Sequence, residues 1–289
     1  MSELAPGSGS GPRDCGLFFL DVVAQYTPEQ IVPATSPALR TNHADVEQLI
    51  EQVWQKETAR AEQEGRTLFN GRLCRLVDYE ASERQLRLSL GEVSYKEFLG
   101  TNLTQAHVRY LHGADVLANP LGVSAALVSK DGYVLLGRRS RKVVYHAGRI
   151  HPVGGMVEPP SRPGQLADPA GDMLHELQEE TGMAPERVAE QVCLGLVRDK
   201  HIVQPELVFD IRLDATVTEV LRGKDHAVDG EEHSEFVPVR SHPSAVVTFI
   251  EQQFAALTPV ALATLLLYGQ RHWGSGWFAA ARGYLRSVI

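Results

Sequence analysis

The chain has 289 residues, 43% of them hydrophobic and 22% charged, with a formal net charge of −8. That is the composition of a water-soluble globular protein of one large or two ordinary domains, and its acidic balance without an extended basic patch excludes a general nucleic-acid binder. Cys15, Cys74 and Cys193 are too few and too far apart for a disulfide framework or a zinc spacing, which points to a reducing, cytoplasmic setting, and the longest apolar run, 260–268, is too short to cross a bilayer.

Residues 1–15 are rich in Gly, Ser and Pro, lack the apolar segment of a signal peptide and predict a disordered tail. Leu17-Phe18-Phe19-Leu20 predicts a buried strand over 16–26. Val46, Leu49, Ile50, Val53 and Trp54 recur at helical spacing after Asn42, predicting a helix over 43–63. Strands follow over 73–79 and 85–90, the second alternating Leu86, Leu88 and Leu90 with polar residues. A short helix over 94–99 is expected to close at Gly100, and another to run over 104–113.

Asn119-Pro120 breaks the pattern and marks a domain boundary, giving an N-terminal α+β domain over 16–118 and a second domain over 119–289. A hairpin over 123–136 turns at Lys130-Asp131-Gly132, and 153–156 reads as strand plus glycine turn. The Pro- and Gly-rich stretch 159–169 is a loop. Beyond it come strands over 192–197, 207–213 and 236–239 and helices over 244–254 and 259–272. This order suits an α/β sandwich with helices on a mixed sheet.

The segment over 169–181 is the most informative. Ala170, Met173, Leu174 and Leu177 form a core-facing stripe. Glu176, Glu179 and Glu180 fall at i, i+3 and i+4, so they cluster on one side, centred roughly 120° from that stripe. No Lys or Arg lies on that face to offset the like charges, and Thr181-Gly182 ends the helix directly after them. Three carboxylates beside a cleft suit a hard divalent cation such as Mg²⁺, although a glutamate-rich helix is also a common solvated face.

Glu176 to Met183 matches the second half of the box Gly-x5-Glu-x7-Arg-Glu-U-x-Glu-Glu-x-Gly-U, with U aliphatic, and the chain from 121 to about 268 resembles a Nudix hydrolase domain. The first half departs from the family pattern. Gly155 can serve as the opening glycine, but about six extra residues follow it. Ala167 stands where the family has a glutamate, and His175 where it has arginine. Thr27-Pro28-Glu29-Gln30-Ile31, the segment 94–102, Asn119-Pro120-Leu121-Gly122-Val123, Arg138-Arg139-Ser140-Arg141 and the segment 154–159 extend the likeness to both domains. Together they resemble the subgroup of animal-type UDP-glucose and UDP-galactose diphosphatases.

The resemblance implies a Nudix α/β/α sandwich with a mixed sheet and a smaller N-terminal α+β domain. It implies a Mg²⁺-dependent enzyme, with Mn²⁺ as the alternative ion, that hydrolyses a small nucleotide-sugar to UMP and sugar 1-phosphate. Neither nucleic acid nor membrane is an expected partner, and the oligomeric state is left open. Glu176, Glu179 and Glu180 are the implied metal ligands, Glu176 and Glu180 the principal pair, with the Gly155 carbonyl contributing. Glu158 either replaces the missing early glutamate or is a loop surface charge. His175 either orients Glu179 or is a plain surface histidine. Arg139 is placed to hold phosphate. Glu231, Glu232 and Glu235 sit where some family members keep a general base. Tyr95, Phe98 and Asn102 suit recognition of a uracil base, with a core role the alternative for Phe98, and Arg198 and Glu206 are further substrate contacts. The competing functions are hydrolysis of another nucleoside diphosphate, of the ADP-ribose type, and non-catalytic binding of a UDP-sugar.

Overall fold

The computed structural model describes residues 12–141, 143, 145–162 and 164–288. In chain order the strands and helices are β1 (Arg13–Asp14), β2 (Phe18–Tyr26), β3 (Ile31–Thr35), α1 (Ala44–Gln63), β4 (Arg72–Ala81), β5 (Leu86–Ser94), α2 (Tyr95–Phe98), α3 (Arg109–His112) and β6 (Gly122–Val128). Then come β7 (Tyr133–Arg139), β8 (Ile150–His151), β9 (Val153–Met156), α4 (Pro169–Thr181), β10 (Val188–Asp199), β11 (Pro205–Leu213), α5 (Val217–Gly223), β12 (His233–Arg240), α6 (Pro243–Gln253) and α7 (Pro259–Val288).

A mixed sheet runs in the order β1-β2-β10-β11-β6-β7-β12, with β8 paired to β7 and β9 to β6. Only β11 and β6 pair in parallel within it. Both faces of the central strands are covered, so those strands are mostly apolar. On β6, Val123, Ala125 and Leu127 join the core under α4, while Ala126 and Val128 join the core under α6 and α7. On β11, Leu207, Phe209 and Ile211 face α4 and Val208 faces the other way. This period-two division makes the fold an α/β/α sandwich.

A second sheet, β3-β5-β4, pairs β3 with β5 in parallel and β4 with β5 antiparallel. Its Leu76, Leu86, Leu88 and Leu90 enter the same core as α4. Strand β2 precedes this small sheet in sequence but is built into the large one, with Leu20 opposite Val197 of β10.

Several elements differ from the sequence expectation. Of the expected tail, residues 1–11 lie outside the described residues, and Arg13 and Asp14 form the edge strand β1. Gly100 does not end the short helix. The chain continues through a wide helical turn over Leu99–Leu103, because Gly100 lies against Ile50 so closely that a Cβ there would come within 2.7 Å of its Cα. The expected helix over 104–113 is a 3₁₀ turn at Ala106–Val108 followed by the single turn α3. The last helix runs on past His272 to Val288 with a break at Gly274, whose φ is 86°. Strand β3 and helix α5 were not signalled. The first contains Pro33 in only five residues, and the second is a seven-residue helix that starts at the capping box Thr216/Glu219.

Candidate active site

Helix α4 forms because its ends are fixed and one stripe is buried. Asp168 caps it by accepting from the Gly171 amide at 3.0 Å, Pro169 opens it, and Gly182 closes it in the left-handed region at φ 69°. Ala170, Met173 and Leu177 are buried as the spacing predicted. Glu180 is buried too, at 1% exposure, although the arc of glutamates was expected to face a cleft. The reason lies in the spacing: residue 180 follows Met173 by seven positions and Leu177 by three, which places it on the apolar stripe itself.

Glu180 is thus held in low dielectric, with Glu176 half-buried beside it. Burial and then the neighbouring Glu180 push the Glu176 carboxyl up to about 8. Burial and then Glu232 raise Glu180 well above the carboxylate range, with Arg139 pulling the other way. One oxygen of Glu180 lies 2.8 Å from His233 Nε2, while its Oε1 has no hydrogen-bond partner among the described residues. Burial also lowers His233 to about 4. Such an orphaned buried oxygen is costly unless a ligand satisfies it. Oxygen donors in this arrangement suit a hard cation.

Strand β9 carries two glycines at this packing. A Cβ on Gly154 would lie 2.1 Å from the Val123 carbonyl oxygen, and one on Gly155 1.9 Å from Glu176 Oε1, so a side chain at 155 would displace that carboxyl. Gly137 of β7 plays the same part for His233, whose Nδ1 would be 2.1 Å from an added Cβ. Glu179 is less buried. His175 Nε2 stands 3.2 Å from its carboxylate, while the His175 side chain is otherwise largely exposed. Glu158 is exposed, and its amide donates to Asp172 at 3.4 Å. Burial pushes Asp172 itself up to about 6.

Arg139 joins the helix to the rest of the site. Its guanidinium pairs with Glu232 at 3.0 Å and donates to the Tyr145 carbonyl at 3.1 Å. Its charge is felt at Glu180, Glu206, His151 and Tyr95. Glu206 on β11 is buried and pushed up to about 7 by that burial. Arg198 is turned to Asp21 of β2 at 2.6 Å.

The small unit reaches the site through Tyr95 and the turn after it. Tyr95 and Met156, the residue next to Gly155, pack against the same buried cluster, and Tyr95 meets Phe98 edge-on at 6.2 Å. Phe98 is buried with Leu73, Val93 and Ala118 and is a core residue. Asn102 is fully buried. Its amide donates to Asn119 at 3.0 Å and to the Ile202 carbonyl at 2.8 Å, and its oxygen accepts from the Asn119 amide at 2.9 Å. In this arrangement Asn102 joins the two units rather than presenting a free edge.

Beside Asn102 opens a cleft of about 390 Å³ walled by Leu103, Thr104, His107, Tyr145, His146 and Ile202. Asp199 backs two of the wall residues, buried, 3.1 Å from Tyr145 Oη and 3.5 Å from His146 Nε2. Burial alone would raise Asp199, but His146, the His201 amide and Tyr145 together hold it below the usual range. The three non-glycine residues with positive φ among the described residues, Asn119 (48°), His146 (56°) and Val203 (57°), all belong to this region. Each is a wall residue or adjoins one, and for the β-branched Val203 the conformation is a true outlier. Sequence reasoning missed Tyr145, His146, Asp199 and His233. Their partners are 53 or more positions away in the cases of Asp199 and His233, and no local spacing carries such a signal.

Comparisons with known proteins agree in kind. No family model matches the chain. It is similar to a human protein named uridine diphosphate glucose pyrophosphatase NUDT22, 28% identical over 218 residues that cover 64% of this chain and 69% of the relative. The mouse protein of the same name is 28% identical over 220 residues, 65% of this chain and 68% of that one. A protein of Arabidopsis thaliana named Nudix hydrolase 9 is 24% identical over 237 residues, 71% of this chain and 73% of the relative. Among solved structures, DR0079 from Deinococcus radiodurans aligns over 51% of this chain and 82% of its own, at 18% identity and a TM-score of 0.37.

Proposed function

We propose that this chain, similar over about two thirds of its length to proteins named as Nudix hydrolases, hydrolyses the diphosphate bond of UDP-glucose or UDP-galactose to UMP and sugar 1-phosphate. The observation that carries the reading is the pair Glu176 and Glu180. These are a buried and a half-buried carboxyl on one helix, the buried one with an orphaned oxygen, beside a glycine strand that lies close against Glu176.

A nucleotide-sugar diphosphate is doubly anionic, and a bare carboxylate cluster would repel it. Bound Mg²⁺, or Mn²⁺ in its place, would neutralise that charge and polarise the bridging phosphates. Glu176 and Glu180 would be its principal holders, with Glu179, the Gly155 carbonyl and Glu158 completing the set. His233 would keep Glu180 aimed, as a hydrogen-bonded neighbour orients a ligand. His175 would steer Glu179 in the same way. Arg139 would turn from Glu232 towards a phosphate oxygen, where its fork gives two parallel hydrogen bonds. That exchange leaves Glu232 free to accept a proton from the attacking water, which makes it the favoured general base. The other moiety, base or sugar, would lie towards Tyr95, Glu206 and the Tyr145–His146 cleft. Arg198 would act there only after leaving Asp21.

The test is an assay of the full chain against UDP-glucose, UDP-galactose and ADP-ribose, each with Mg²⁺, with Mn²⁺ and with chelator. Metal-dependent release of UMP, with kcat/KM higher on the uridine compounds, is expected. Equal or better kcat/KM on ADP-ribose moves the assignment to that substrate class. Tight UDP-glucose binding without turnover makes the protein a UDP-sugar sensor.

A further inference from the structure

We propose that His43, Asp45 and His112 form a second metal site, specific for a borderline divalent ion of the zinc type, on the small unit of the protein. One ligand atom from each lies within 4.8 Å of the other two. The three residues come from two elements. His43 precedes the first residue of α1, Asp45 is its second residue, and His112 is the last residue of α3. None of them is on the acidic helix.

To take an ion, donors that stand up to 4.8 Å apart have to converge by local side-chain movement. The imidazoles of His43 and His112 face one another with centroids 4.4 Å apart and planes inclined by 32°. His112 Nε2 meets Asp45 Oδ2 at 2.7 Å. In a tetrahedral zinc site with bonds of about 2.0–2.1 Å, donor atoms stand about 3.3 Å apart. The His112–Asp45 contact therefore has to open by roughly half an ångström. The Asp45 side chain is 61% exposed and free to make that move, and the exposed mouth admits a water as fourth ligand.

The donor set decides the class of ion. Two imidazoles and one carboxylate suit zinc and its neighbours, whereas magnesium and calcium take oxygen alone. A cation near the start of a helix is mildly disfavoured by the exposed amides there, but Asp45 and Glu47 already place negative charge in that turn. The consequence would be mechanical. The ion would clip the first turn of α1 to α3. Ile50 of α1 packs against Gly100 in the turn that carries Asn102, so the clip would stiffen one wall of the cleft.

The experiment uses the full chain, freed of metal with a chelator and exchanged into buffer with saturating Mg²⁺, then titrated with Zn²⁺. One equivalent of zinc is expected to bind, and the melting temperature is expected to rise with free zinc. His43→Ala and His112→Ala should each weaken binding by at least about tenfold, while Glu176→Gln and Glu180→Gln leave it intact. Cobalt(II) gives a second reading that does not depend on stability. The wild type should show visible d–d bands of a low-symmetry nitrogen-and-oxygen site, and the histidine variants should lack them. The proposal is overturned if the wild type binds no zinc tighter than about 100 µM, or if the double variant His43→Ala/His112→Ala binds zinc and cobalt as the wild type does.

Discussion

Replacing Glu176 by glutamine should stop catalysis and, in the metal-free protein, make the fold more stable at neutral pH. Glutamine has the same shape and leaves the contact with Gly155 in place, so only the ionisable proton is lost. The sign follows from the direction of the shift. The native carboxyl titrates at about 8 and its ordinary value is 4.5, so the folded state holds a proton that the unfolded state releases. Stability from this group is complete below pH 4.5 and is lost as pH rises towards 8. Each pH unit inside that window is worth about 1.4 kcal/mol, so the penalty grows by about 2.5 kcal/mol between pH 5 and pH 7. Relaxation and water entry reduce this to about 1–2.5 kcal/mol, or roughly 3–6 °C in Tm for a chain of this size. Calorimetric melting of wild type and Glu176→Gln in chelator, at pH 5 and pH 7, reads it directly. The variant should gain on the wild type at pH 7 by that margin and lose most of the gain at pH 5. Its turnover of UDP-glucose with Mg²⁺ should fall by about a thousandfold, several kcal/mol of transition-state stabilisation. A variant destabilised equally at both pH values, or one with wild-type turnover, would refute the view that Glu176 is kept for a cation.

Three further outcomes follow from the same packing. Gly155→Ala places a Cβ 1.9 Å from Glu176 Oε1 and should lower kcat by at least about tenfold while Tm moves by only a few degrees; an unchanged kcat removes Gly155 from the site. Gly137→Ala drives His233 out from beside Glu180, so zero-metal Tm and Mg²⁺ affinity should both fall, as measured by melting and isothermal titration. Asn102→Ala breaks hydrogen bonds to Asn119 and Ile202 and should cost about 2–4 kcal/mol in denaturant unfolding, whereas Tyr95→Leu should leave unfolding within about 1 kcal/mol and raise KM for UDP-glucose; the reverse pattern would exchange their structural and binding roles.

Helix α4 was legible from its sequence because everything that makes it is local. The stripe Ala170, Met173 and Leu177, the stop at Gly182 and the acidic cluster all fall within one stretch of 13 helical residues and its cap. The burial of Glu180 was legible in principle as well, since it continues the apolar spacing of Met173 and Leu177. Its partner His233 was not. The two meet only because β7 and β12 pair beside α4, with His233 opposite Arg139. Tyr145, His146 and Asp199 escaped for the same reason, because an aspartate ending a strand looks like any other until the facing loop is known. Asn102 shows the opposite failure. A polar residue in a recognisable motif invites a ligand, yet its hydrogen-bonding capacity is taken up by Asn119 and Ile202.

The placement of β2 has a consequence for how the chain acquires its shape during synthesis. Leu20 is made well before its partner Val197, which follows 177 positions later, after the whole small sheet and most of the large one. At about 5–20 residues per second, a nascent β2 waits on the order of ten seconds or more with only the two-residue β1 beside it and the edge that takes β10 open. Contacts of such long sequence separation form late and slowly. The small sheet can close in the meantime, so a ribosome-bound chain should pass through a stage with one finished sheet and a β2 open on its long edge. An open apolar edge is a template for wrong pairing, so a polar substitution on β2 should alter folding yield.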